Sequence, residues 1–172
     1  VLHRWARGVC RLLGIRVHVR GARAPGPVLV AGNHIGYLDV VVLASLSPAL
    51  FVSKDDLARW PLLGPLGRAV GTVFLDRTRT RAVAEAGEAM GALFRHGQSV
   101  IVFPEGTTTR GDTLEAFHSA LFEPALRAGV PVQAAALAYA ARSPLVGEHI
   151  AAWTGDATFL PHFWRLLRAG GV

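Results

Sequence analysis

The chain has 172 residues and is 51% hydrophobic, enough for one domain with a substantial core and too apolar for a disordered segment. Its formal charge is +6 and every basic residue except Lys54 is arginine, which suits an anionic partner or reflects a GC-rich genome. The single cysteine, Cys10, excludes an intramolecular disulfide, fits a reducing, cytoplasmic setting, and reads most simply as a small apolar residue.

Residues 2–13 pattern as an amphipathic helix, with Leu2, Trp5, Val9, Leu12 and Leu13 on one side and Arg4, Arg7 and Arg11 on the other. Such a helix can lie in an anionic lipid interface or pack on its own domain. Ile15 to Arg20 alternates apolar and polar as a half-buried strand does, and a Gly/Pro turn runs from Gly21 to Pro27. Val28 to Ala31 reads as a buried strand, Leu38 to Leu46 as a helix, and Leu50 to Val52 as a short strand leading to Lys54. Pro61 to Gly71 reads as a loop-rich connection with a short helix, and Thr72 to Leu75 as a strand. Thr80 to Phe94 is an alanine-rich amphipathic helix closed by Arg95, His96 and Gly97, where His96 suits the negative end of the helix dipole. Ser99 to Phe103 follows as a strand, Ala116 to Ala128 as a helix closed by Gly129, and Val130 to Leu137 as a further strand. Near the C-terminus, Phe159, Leu160, Phe163, Trp164, Leu166 and Leu167 stand beside Arg165 and Arg168 as a second membrane-surface candidate.

No uninterrupted apolar run reaches the length of about 18 residues needed to cross a bilayer. The longest, Val40 to Val52, is interrupted by Ser45, Ser47 and Pro48. The chain opens on Val1 rather than methionine and shows no signal peptide, which leaves room for an upstream anchoring segment not present in this chain. The basic residues are not interleaved with an aromatic stacking platform or carried on a DNA-reading motif, so nucleic acid fits the charge less well than a membrane surface.

Strands alternating with helices imply an α/β layer structure with a largely parallel, mixed sheet flanked by helices. Parallel strands deliver their following loops to one edge, where α/β proteins usually bind ligands. Three polar constellations fall just past strand ends: His34 to Asp39, Asp76-Arg77, and Pro104-Glu105-Gly106-Thr107. They are expected to converge on one site.

There is no Gly-x-Ser-x-Gly elbow and no cluster of metal ligands, so most routes to an activated nucleophile are missing. His34 in a turn before a helix would be favoured as neutral imidazole by the helix dipole, the form a general base needs. Asp39 can hold the ring's tautomer and stabilise the imidazolium. Five residues of ideal helix is about 140° of rotation, so the two share a site only if His34 lies in the turn and Asp39 in the first turns of the helix. Arg77 offers a planar fork for phosphate or carboxylate, and Glu105, Gly106 and the threonines 107–109 form a polar turn. Singly, each has an ordinary structural explanation: a satisfied histidine, a surface ion pair, a capping turn.

Order and combination change this. NHIGYLD (33–39), GTVFLDR (71–77), FPEGTTTRGD (103–112) and VPVQAAAL (130–137) resemble, in order and spacing, the four blocks of the glycerolipid acyltransferase family, which includes 1-acylglycerol-3-phosphate acyltransferases. Val52-Ser53-Lys54 with Pro61 and Gly64, and Phe117-His118-Ser119 through Leu121-Phe122, add to the match. The resemblance implies transfer of a fatty acyl group from acyl-CoA or acyl-carrier protein to the free hydroxyl of a lysolipid in phospholipid biosynthesis. His34 would be the base and Asp39 its support, with Arg77, Glu105, Gly106, Thr107 and Lys54 binding the acceptor. No metal and no cofactor beyond the acyl donor is implied. Residues 1–172 would form a single acyltransferase domain, with 1–14 a membrane-facing helix and 28–137 the catalytic core. Its expected place is the cytoplasmic face of a bacterial inner membrane, peripheral or anchored by a segment outside this chain, against an anionic membrane surface.

Two positions depart from the common pattern. Many members carry arginine where this chain has Thr108, with Arg110 a nearby substitute, and a proline is usual where Ala134 stands. The FPEGTTT form resembles the branch that includes lyso-ornithine-lipid acyltransferases, so lyso-ornithine lipid stands as the alternative to 1-acylglycerol-3-phosphate. A phosphatase reading of Phe74-Leu75-Asp76 lacks its second aspartate, since Thr78 stands there. A non-catalytic lipid-binding module is the distant alternative, and His118 is the rival base.

Overall fold

A computed structural model describes residues 2–54, 72–75, 80–141, 149–155 and 157–169, and for residues 53, 54, 73–75 and 80–83 the backbone alone. Its strands are β1 (Leu29–Gly32), β2 (Leu50–Lys54), β3 (Val73–Leu75), β4 (Val100–Val102) and β5 (Val132–Ala135). They form one sheet in the order β3-β2-β4-β1-β5, and every pair is parallel. The expected mixed sheet is therefore wholly parallel among the described residues. Its helices are α1 (Leu2–Leu12), α2 (Tyr37–Leu46), α3 (Thr80–Arg95), α4 (Glu123–Ala128) and α5 (Phe159–Arg168).

Alternation along the strands sorts the core into two layers. Val100 and Val102 of β4, with Leu29, Ala31 and Val52, pack against Met90 and Phe94 of α3 and Ala125 of α4. Ile101 and Phe103 face the other way with Phe51, onto Val41 and Ala44 of α2 and Ala6 and Cys10 of α1. Strands covered on both faces read as continuous apolar runs, which is why Val100–Val102 carries no polar residue. Each fully buried valine or leucine here contributes about 1.5–3 kcal/mol of hydrophobic stabilisation.

α2 lies between the sheet and α1, and its sequence is apolar nearly all round, as a helix covered on opposite sides requires. α1 docks through small residues, Ala6 and Cys10, and His3 donates from Nδ1 to the Ala44 carbonyl at 3.0 Å. Burial raises the Cys10 thiol above its ordinary pKa, so it remains a neutral packing group.

Two expected elements differ. Ile15 to Arg20 is extended but belongs to no strand. Both sides of β1 are occupied by β4 and β5, and the apolar alternation instead serves to pack Ile15 and Val17 under α1 and α2. The stretch 116–128 is not one helix: a 3-10 turn at Ser119–Leu121 precedes α4. Pro124 has no N–H and fits only a helix's first turn, so an α-helix must begin there rather than pass through. Upstream, the backbone N–H groups of Glu115 and His118 go to Glu105 and Pro104, outside any helix. The connection expected at Pro61 to Gly71 lies outside the described residues.

Candidate active site

The pairing of β1 with β4 aligns Ala31 with Val102. Continuing that register past both strand ends brings His34 beside Glu105. There the His34 backbone N–H donates to Glu105 Oε1 at 2.8 Å, and the Thr109 N–H donates to the His34 carbonyl at 2.8 Å. Two of the three expected constellations therefore meet. β3 ends at the same edge of the parallel sheet, but Asp76 and Arg77, next in the chain, lie outside the described residues.

His34 sits in the turn and Asp39 is the third residue of α2, as their spacing requires. His34 Nδ1 lies 2.7 Å from Asp39 Oδ2. A carboxylate only accepts, so the proton sits on Nδ1 and the lone pair on Nε2. Nε2 makes no hydrogen bond among the described residues, and the side chain is 21% exposed. The ring stacks on Phe103 at 4.1 Å between centroids and 13° between planes, which fixes its second degree of freedom.

Asp39 is fully buried, and a buried charge persists only if its lone pairs are met. Oδ2 also accepts from the N–H groups of Ile35 at 2.6 Å and Gly36 at 2.9 Å, closing the first turn of α2 as a helix-capping carboxylate does. Oδ1 accepts from the Tyr139 hydroxyl at 2.8 Å. Gly36 is required by space: a Cβ there would lie 2.8 Å from the Ala151 carbonyl oxygen.

Glu105 is buried, and its two oxygens accept from His34 N–H and Glu115 N–H. The carboxylate sits as a brace between backbones, away from solvent. Gly106 closes a tight turn with φ 72°, its N–H donating to the Phe103 carbonyl at 3.1 Å. Thr107 beside it is exposed. Lys54 closes β2 at the same sheet edge, its backbone alone described. Thr108 donates to the Trp153 carbonyl at 2.6 Å. Arg110 lines a cavity of about 230 Å³ with Ile35, Asp112, Tyr139 and His149. His118 is exposed, with its backbone bound to Pro104.

Sequence reasoning missed two groups. Tyr139 stands alone as a polar side chain in the alanine-rich run past β5, and that isolation was its one signal. Asn33, although inside the first block, was given no role. Its amide clasps the backbone of Leu137, donating at 3.0 Å and accepting at 2.6 Å, and so extends the β1–β5 pairing beyond the strands.

A parallel α/β sheet with a histidine–carboxylate pair and an unoccupied ring nitrogen at its carboxyl edge has the layout of a protein equipped for acid–base chemistry. The chain belongs to the acyltransferase family, whose model matches residues 14–138. It is 36% identical over 180 residues to the lyso-ornithine lipid O-acyltransferase of Rhizobium meliloti, covering 98% of this chain and 62% of that protein. It is 38% identical over 135 residues to the 1-acyl-sn-glycerol-3-phosphate acyltransferase of Neisseria meningitidis, covering 77% of this chain and 53% of that protein. The crystal structure of the 1-acyl-sn-glycerophosphate (LPA) acyltransferase PlsC from Thermotoga maritima superposes with a TM-score of 0.61 at 26% identity, covering 76% of this chain and 54% of that one. The chain thus spans about three fifths or less of the length of these relatives.

Proposed function

We propose that residues 1–172 act as one O-acyltransferase domain that moves a fatty acyl group from a thioester, acyl-CoA or acyl-carrier protein, to the free hydroxyl of a lysolipid. The observation that carries this reading is the His34 ring, held by Asp39 at 2.7 Å through Nδ1, with Nε2 making no hydrogen bond among the described residues. Nε2 takes the acceptor's hydroxyl proton as the oxygen attacks the thioester carbonyl. The tetrahedral intermediate collapses, the C–S bond breaks, and the imidazolium returns the proton to the departing thiolate. Asp39 holds the ring through Nδ1 and stabilises the imidazolium. General-base help of this kind is typically worth about 10²–10⁴-fold. The scheme forms no acyl-enzyme and uses neither metal nor a cofactor beyond the donor.

The proposed acceptor is 1-acylglycerol-3-phosphate. Lyso-ornithine lipid is the second reading, favoured by Thr108, whose hydroxyl is spent on Trp153 where many family members carry arginine. Arg77 is assigned to the acceptor's anionic group on resemblance alone, with Lys54, Gly106 and Thr107 in the same pocket. Glu105 braces the turn that carries His34, and Arg110, which lines the cavity beside Tyr139, supplies a further cation.

The same reading places the protein on an anionic membrane surface at the cytoplasmic face of a bacterial inner membrane. No helix of the described residues is long and apolar enough to cross a membrane. α1 keeps Ala6 and Cys10 on the domain while Arg4, Arg7, Arg11 and the apolar Leu12 remain exposed. α5 buries His162 and Leu166 and exposes a ridge of Leu160, Trp164 and Leu167 flanked by Arg165 and Arg168. Tyr37, the first residue of α2, packs on Phe159 and His162, so the inward face of α5 is joined to the start of α2.

The test is acyl transfer in detergent with both donors, against lysophosphatidic acid and lyso-ornithine lipid, with His34→Ala as control. Transfer abolished by His34→Ala is the expected result, and the preferred acceptor decides between the two readings. Transfer that survives His34→Ala would reject the mechanism.

A further inference from the structure

We infer that Tyr139 is a positioning residue for the His34–Asp39 pair, fixing the Asp39 carboxylate through its second oxygen; this rests on the acyltransferase reading above. Tyr139 lies outside the four sequence blocks and one residue beyond the segment matched by the family model. Its hydroxyl nevertheless reaches Asp39 Oδ1 at 2.8 Å.

The division of labour on Asp39 makes that bond matter. Oδ2 carries the local donors, His34 Nδ1 and the N–H groups of Ile35 and Gly36, all within five residues. Oδ1 has Tyr139 as its partner among the described residues, and it comes from 100 residues away. Rotation about the Cβ–Cγ bond, a broad torsion, moves both oxygens together, so a donor on Oδ1 resists the same swing that would draw Oδ2 off His34 Nδ1. A donor on the other oxygen fixes the plane and with it the direction of the Nδ1–H bond.

The Tyr139 hydroxyl is kept as a donor. Burial, then the charge of Asp39 and the hydrogen bond to it, push its ionisation far above the ordinary tyrosine range. Its ring is held beside Leu38, Ala151 and Leu166, the small cluster that joins α2 to α5. Tyr139 therefore ties the chain beyond β5 to the base, across the β1–β5 pairing.

Two consequences of losing the hydroxyl oppose each other. Oδ1 would keep more negative charge and pull harder on the imidazolium, which favours proton transfer. The carboxylate would also lose its fixed plane and be left with a buried, unpaired oxygen. Geometry prevails, because the bond lost is one to a charged group and its loss leaves a buried lone pair unmet.

The experiment is Tyr139→Phe, which removes one oxygen and keeps the ring, measured as kcat and KM with His34→Ala alongside. A fall in kcat of about tenfold with KM for donor and acceptor held within about twofold is expected. In the Asp39→Asn background, Tyr139→Phe should have no further effect, because its route to the base is already cut. The ¹⁵N–¹H signal of His34 Nδ1 should broaden or shift in Tyr139→Phe, a readout that needs no turnover. Unchanged kcat per folded molecule with an unchanged Nδ1 signal, or full additivity with Asp39→Asn, would overturn the inference while leaving the acyltransferase reading intact. No acyl transfer by the folded parent protein would instead reject that reading, and transfer that survives His34→Ala would reject His34 as the base.

Discussion

The backbone of His34 hangs on the side chain of Glu105: a 2.8 Å hydrogen bond from His34 N–H to Oε1 joins the turn after β1 to the turn after β4. The other carboxylate oxygen holds Glu115 N–H at 2.9 Å, so one buried side chain sets three loop segments relative to one another. Glutamine cannot replace it, since its NH2 would face a backbone donor with another donor. Glu105→Gln is expected to lower kcat by about 10²-fold, the cost of displacing a base by roughly 1 Å, and to lower the melting temperature as well. Steady-state kinetics and thermal melts check this. A rise in acceptor KM alone, with kcat and melting unchanged, would restore Glu105 to a direct binding role.

Gly36 makes a second prediction about the same turn. Its φ of 176° is ordinary extended backbone, so its glycine is not explained by conformation. The constraint is contact: an added Cβ would meet the Ala151 oxygen at 2.8 Å and Trp153 Cβ at 3.2 Å. Gly36→Ala should destabilise the protein by about 1–3 kcal/mol, as overpacking does, and strain the bond from Trp153 N–H to the Ile35 carbonyl. Chemical denaturation measures the loss, and a stability equal to that of the parent protein would show that the 151–153 segment yields freely.

What could be read from the sequence followed from how far apart the interacting residues lie. His34 and Asp39 pair across five residues, a turn and the start of a helix, and local geometry suffices to bring them together. α1, α3 and α5 were legible for the same reason, because their periodicity is internal, whereas α2, apolar nearly all round, was legible only as a buried run. Tyr139 and Asn33 were not, because each acts across about 100 residues through the β1–β5 pairing, which no local pattern encodes. Glu105 was found, but its neighbours were not foreseen, so a carboxylate expected to face a ligand was met as a brace. The helix expected over 116–128 and the strand expected over 15–20 failed through tertiary override: backbone donors near 115–118 are claimed by Glu105 and Pro104, and the flanks of β1 are already filled.

His162 gives a pH dependence. Its Nε2–H donates to the Ala152 carbonyl at 3.0 Å, and its Nδ1 accepts from the Tyr37 hydroxyl at 2.8 Å, an arrangement that holds the neutral ring. Burial lowers its pKa below the ordinary 6.5, opposed by the Ala152 carbonyl and assisted by Arg165. The unfolded chain therefore binds the proton first. The stabilisation is complete above the unfolded value and is lost as pH falls through 6.5 toward the lower folded value. Between pH 7.5 and 5.5 the melting temperature should fall, and His162→Gln should flatten that part of the profile while lowering the plateau. Equal slopes in the two proteins would remove His162 as the source.

The ridge on α5 supplies the last prediction. Leu160 is 67% exposed and Trp164 is 61% exposed, four residues apart on one face, with Arg165 and Arg168 beside them. Apolar insertion and arginine attraction respond differently to salt, because charge attraction is screened over about 10 Å at 0.1 M while burial is not. On vesicles rich in anionic lipid, Arg165→Glu with Arg168→Glu should weaken co-sedimentation at low salt, by about 1 kcal/mol per charge, and matter little at high salt. Leu160→Ser with Trp164→Ser should weaken it at every salt concentration. Reversing Arg4, Arg7 and Arg11 on α1 should reproduce the first behaviour, since that helix keeps its arginines outward while Ala6 and Cys10 hold it to the domain. Vesicle binding indifferent to the α5 changes but sensitive to those on α1 would confine the membrane contact to α1. The α5 ridge would then be assigned to another part of a longer polypeptide or to a protein partner.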